Sequence, residues 1–79
     1  MKANRAYRLI VRRGGWMPAA LADPSRVDHI EVVEVHGGEV VLFWDCPPQA
    51  CARRAKALRA ELAQLEDTEF LARWSTVDR

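Results

Sequence analysis

The stretch HIEVVEVHGGEVVLFWD, residues 29–45, decides the fold. Its two arms are rich in β-branched and aromatic residues, the composition of strands. Gly37-Gly38 between them reads as a two-residue hairpin turn, because the favoured hairpin turns need positive φ, which glycine adopts freely. The arms then become strands over 29–35 and 39–45. A two-residue loop sets the register: His36 opposes Glu39, Val35 opposes Val40, Val33 opposes Leu42 and Glu31 opposes Trp44. The other face pairs Glu34 with Val41 and Val32 with Phe43. Both faces come out apolar in the middle and charged at the ends, whereas a one-sided antiparallel sheet alternates cleanly. Either both faces are covered, or a bulge near Val32-Val33 reassigns the sides.

Working outward, Tyr7–Arg12 reads as the first strand, with Tyr7, Leu9 and Val11 on one side and Arg8 and Arg12 on the other. Residues 16–23 follow, with Pro18 placed to start a short helical turn and Pro24 placed to stop it. Downstream, Pro47-Pro48 ends the third strand and begins a helix. Cys51, Ala55, Leu58, Leu62 and Leu65 recur at steps of four and three, a narrow seam with a period of ~3.5 residues. The next step falls on Glu69, so the seam breaks. Asp67 or Thr68 can cap a second short helix carrying Phe70, Leu71 and Trp74; one continuous helix with a shifted face is the alternative. The expected fold is α+β. It is a two-layer α/β sandwich, a three-stranded antiparallel sheet (β-short α-β-β-α) with one long C-terminal helix and a short final helical segment. Residues 1–79 make a single small domain.

The composition is that of a globular chain: 49% hydrophobic and 29% charged. No run approaches the ~20 apolar residues that span a membrane. Leu9-Ile10-Val11 is too short for a signal-peptide core. A cytoplasmic location is therefore expected, with Cys46 and Cys51 reduced. The net charge of +1 conceals blocks. Residues 1–13 are purely basic, 23–45 strongly acidic, 53–59 basic and 61–69 acidic. Such segregation predicts internal pairing rather than a uniform nucleic-acid footprint.

Four constellations could carry chemistry. Cys46 lies near the expected helix N-terminus, where backbone dipoles and the following Arg53 and Arg54 favour a thiolate. Cys51 falls on the apolar seam, where a cysteine packs as a small hydrophobe. An internal disulfide is disfavoured, since five residues along a helix rise ~7.5 Å and bridged Cα atoms stay within ~7 Å. A metal site would need His29, His36, Cys46 and Cys51 together, but the cysteine spacing is wide for zinc and the histidines fall on opposite faces of an unbulged strand. No metal and no cofactor is expected.

The basic residues Arg53, Arg54, Lys56 and Arg59 open the helix against its dipole. Either Asp45 or Glu31 offsets them, or an anionic partner does, with Arg8 and Arg12 extending the patch. Trp44 and Trp74 read as core. Trp16-Met17 could be an exposed anchor or a loop folded back over the sheet. Nothing resembles a nucleophile triad or a phosphate loop, so no enzyme activity is expected.

The leading expectation is a small interaction module, homodimeric or bound to another protein through a second apolar sheet face (Val32, Val41, Phe43), with Trp16 and Met17 as a further anchor. The alternatives are a nucleic-acid-binding accessory protein using the basic patch, and a thiol-based sensor at Cys46.

Overall fold

Alternation in Tyr7–Arg12 becomes strand β1 with the bounds expected, and two further strands follow it: β2 (Asp28–Glu34) and β3 (Val40–Cys46). The structure is a computed structural model that describes residues 1–13 and 27–77. The three strands form one antiparallel sheet in the order β1-β2-β3. Helix α2 (Pro48–Gln64) lies across one face, and a separate helix α3 (Asp67–Trp74) follows it. The α+β architecture read from the sequence is therefore the observed one. The short helix expected over 16–23, with Trp16 and Met17, lies outside the described residues.

The hairpin register differs from the expected one. The Glu34 amide donates to the Glu39 carbonyl (2.8 Å), and the Gly38 amide donates back to the Glu34 carbonyl (2.8 Å). Four residues, Val35 to Gly38, therefore make the loop, and only Gly38 takes positive φ (72°). Loops of four or five residues are the next favoured solutions after the two-residue turns. From there Val33 pairs with Val40, the register shifts, and Val32 pairs with Leu42, Ile30 with Trp44 and Asp28 with Cys46. Val41 is the extra residue of a bulge, at the place where the two-sided pattern called for one.

The bulge sorts the sheet. Ile30, Val32, Leu42, Trp44 and Cys46 are buried on the face that meets Cys51, Ala55, Leu58 and Leu62 of α2. The helical seam is thus the core stripe, with Leu65 half-buried at its end. Phe70 of α3 closes the core, stacked on Tyr7 with ring centroids 5.9 Å apart.

One element has no counterpart in the sequence reading. Residues Ala3–Ala6 form a single helical turn, α1, with Ala3 fully buried. Its position explains the break between α2 and α3. Leu65 and Glu66 are both extended, with ψ of 157°, and Glu66 bridges to Lys2. The Ala3 amide donates to the Leu65 carbonyl, and the Asp67 amide to the Met1 carbonyl, both at 2.9 Å. The Lys2 ammonium donates to the Gln64 carbonyl (3.0 Å), where a cation favours a helix C-terminus.

The Met1 α-ammonium sits 2.8 Å from the Glu66 carboxylate. That hydrogen bond is the main reason the ammonium pKa rises above its ordinary 8.0 and the Glu66 pKa falls below 4.5. A raised amine pKa stabilises the fold below pH 8.0 and loses the effect as pH climbs through the folded value; a lowered carboxyl pKa stabilises above 4.5 and loses it as pH falls. The expected outcome is a small melting-temperature gap between the native chain and Glu66→Gln. It should be widest between pH 4.5 and 8.0 and close on either side. A gap that persists unchanged at pH 10 assigns the effect to something other than this ion pair.

Candidate functional site

The junction between β3 and α2 is built by two prolines. Cys46 is the last residue of the strand; Pro47, without an N–H, cannot extend the ladder and takes the N-cap position at φ −58°, ψ 154°. Pro48 then occupies the first helical position, where its missing donor costs nothing. The Cys51 amide donates to the Pro47 carbonyl (2.9 Å) and completes the first turn. The chain has reversed by then, and Cys51 returns beneath Cys46.

The two Cα atoms are 5.4 Å apart and the sulfurs are joined as a disulfide, which corrects the expectation of two reduced, separate thiols. The ~7.5 Å rise invoked against a bridge holds only within a helix. Cys46 is on the strand side of the turn, so the distance shortens into the bridging range.

Both sulfurs belong to the core face, but unequally: Cys46 is 8% exposed and Cys51 1%. The Cys51 Sγ lies 3.5 Å from the Asp28 carbonyl oxygen and 3.4 Å from that of Cys46. In the reduced form these oxygens are acceptors for its S–H. Asp28 is itself buried and stands directly opposite Cys46 in the ladder, so the two side chains share a face. Trp44, two residues before Cys46 on that face, is fully buried. The Arg54 guanidinium lies over its ring at 5.5 Å, and Trp74 meets it edge-on at 5.8 Å. The Trp44 Nε1–H has no hydrogen-bond partner.

The first turn of α2 contains no acid, and no side chain caps it. Pro47 and Pro48 carry no N–H, so the free donors of that turn are the Gln49 and Ala50 amides; with the following Arg53 and Arg54 they favour negative charge near the helix start.

The other expected sites disperse. Arg12 pairs with Glu31 (2.5 Å), and Glu31 alternates with the buried Ile30 and Val32, so Arg12 and Arg8 lie on the face away from α2. The sheet therefore separates them from Arg53, Arg54, Lys56 and Arg59, and the six do not form one patch. The two acids expected to offset the basic turn are paired elsewhere. Glu31 is taken by Arg12 and Asp45 by His29, while Arg54 rests on the Trp44 ring. Among the described residues no cluster of three metal-ligating side chains exists.

The second apolar face also changes membership. Val32 goes to the core, and Val41 is half-buried against it. Phe43, 37% exposed, stays outside, stacked on His29 at 5.7 Å. Val40 and Val41 instead line an open groove of about 630 Å³ with Glu39, Thr68, Leu71, Ala72 and Ser75.

Asp28 was missed because only the bulge places it opposite Cys46. Cys51 was misassigned to pure packing because the reversal at Pro47 is not a helical distance. The bridge closes a loop of six residues. Constraining the unfolded chain to a loop that short is worth about 2 kcal/mol in the loop-entropy treatment. Replacing both cysteines by Ala should lower the unfolding free energy in urea by about that amount relative to the oxidised chain, with reduction alone giving most of the loss. An unchanged urea midpoint on reduction is the contrary result.

No helix among the described residues is long and apolar enough to cross a membrane. No family model, no curated protein and no solved structure matches this chain.

Proposed function

We propose that the protein is a thiol–disulfide redox sensor, with Cys46 as its responsive group and Cys51 as its bonding partner. The observation that carries the reading is the seating of the pair: Cα atoms 5.4 Å apart across a strand-to-helix elbow, with one sulfur at the uncapped start of a 17-residue helix. A purely structural cross-link has no use for that polarity. Opening the bond frees the first turn of α2 from β3, so oxidation state becomes a difference in the surface around Pro47, Arg53 and Arg54.

The groups that bear on the Cys46 thiol are the α2 amides, Arg53 and Arg54 on the helix side and Asp28 on the strand side. The first set favours thiolate, while Asp28 and the burial of Cys46 oppose it. The dithiol should close again reversibly in a redox buffer without loss of the folded circular dichroism. A pair that cannot be re-formed after reduction removes the proposal.

A second reading, an interaction module pairing with another copy, is favoured by one observation. Val40, 46% exposed, lines the groove between β3 and α3. Its expected outcome is a sedimentation coefficient that rises with concentration in the micromolar range and falls back on Val40→Lys. A strict monomer throughout that range sinks it.

A further inference from the structure

We infer that the two sulfurs have different and fixed jobs: reduced Cys46 attacks a small hydroperoxide, and Cys51 resolves the product into the disulfide. The inference rests on the sensor reading and adds to it the oxidant class and the order of events.

Access separates the sulfurs first. Cys46 is 8% exposed, next to the exposed Pro47, whereas Cys51 is 1% exposed. Electrostatics separates them in the same sense. Cys46 sits just before the N-cap Pro47 of a helix whose first turn has neither an acid nor a side-chain cap, and because both prolines lack an N–H the free donors there are the Gln49 and Ala50 amides. The Cys51 sulfur instead faces two carbonyl oxygens at 3.4 and 3.5 Å. Those oxygens accept an S–H and repel a thiolate. In the proposed reaction Cys46 acts as the thiolate and Cys51 stays protonated behind it.

The narrow opening selects the oxidant. Exchange with another protein's disulfide brings two chains together at the attacked sulfur and depends on access to it. Cys46, only 8% exposed at the foot of a strand, does not offer that access. A hydroperoxide presents only two linked oxygens.

In the first step the Cys46 thiolate attacks the terminal oxygen of ROOH. An S–O bond forms, the O–O bond breaks, and RO⁻ leaves and takes a proton from solvent to give ROH. Cys46 is then a sulfenic acid. In the second step the Cys51 sulfur attacks the Cys46 sulfur. The S–S bond forms, the S–O bond breaks, and the Cys51 proton departs with the hydroxyl as water. The two thiols have supplied two electrons, and one hydroperoxide has become an alcohol and water.

The test treats the fully reduced chain with equimolar hydrogen peroxide and traps sulfenic acid with a 1,3-dione, read by mass spectrometry. Cys51→Ser should accumulate one trapped adduct per chain on Cys46. Cys46→Ser should label Cys51 at least tenfold more slowly, and the native chain should close to the disulfide without adduct. Because a variant could lose its fold, the native reduced chain is also pulsed with sub-stoichiometric iodoacetamide. Modification should map to Cys46 at least tenfold ahead of Cys51. Equal or reversed labelling in either experiment overturns the assignment. A native chain that closes in a small-molecule disulfide buffer but not with peroxide overturns the oxidant while leaving the sensor reading intact. A chain that closes with neither brings down both.

Discussion

The structure depends on one extra residue in β3. Val33 pairs with Val40 and Val32 with Leu42, and Val41 is the residue left over. Had the ladder run on without it, Glu31 would share a face with Leu42 and His29 with Trp44. Every other residue of the core stripe would then be a charged or ionisable one. The bulge moves Ile30 and Val32 behind Leu42 and Trp44, so that the half-sheet facing α2 is wholly apolar at its centre. Burial of that kind is worth roughly 25 cal/mol per Å², far more than the ladder bonds disturbed at one bulge. The same shift brings Asp28, and not Val27, opposite Cys46. Core and candidate site are therefore consequences of one register decision.

Helix α2 is held at both ends by extended main chain. At its start the Pro47 elbow carries the disulfide. At its end the extended Leu65-Glu66 pair receives the first residues of the chain as a bridge, with Lys2 reaching the Gln64 carbonyl. Past that second elbow, Glu61 takes both the Trp74 indole N–H (2.5 Å) and Arg73 (3.3 Å), which folds α3 back along α2. Trp74 then reaches Trp44, and Trp44 reaches Arg54. The two elbows are thus linked through aromatic rings as well as through the helix between them.

Much of this was legible from residues alone. β1 is readable because Arg8 and Arg12 alternate with Tyr7 and Leu9, and the α2 stripe because Ala and Leu recur at helical spacing. The register of β3 was not, for a physical reason. Val40 to Trp44 is a run of five apolar residues, which erases the alternation that would mark a face. Only the awkward charges of β2, Glu31 and Glu34, signalled that something had to slip. The α1 turn was invisible because four residues cannot display a helical period; it exists through tertiary contacts at Leu65 and Asp67. The disulfide was hidden because sequence separation was converted to distance along a helix, while the path bends at Pro47. The reassignment of Val32 and the isolation of Arg8 and Arg12 from the α2 cations follow from the same unseen sheet geometry.

The Pro47-Pro48 elbow has a consequence in the language of effective concentration. Two sulfurs held by a rigid turn meet each other far more often than either meets a free thiol, as any tethered pair does when its linker matches the span. Folding and bonding are then coupled in both directions: whatever stability the bond adds to the fold, the fold returns to the bond as a bias toward closure. A variant that loosens the elbow without touching either cysteine would weaken both at once. The two prolines are, in that sense, where the resting state of the pair is set.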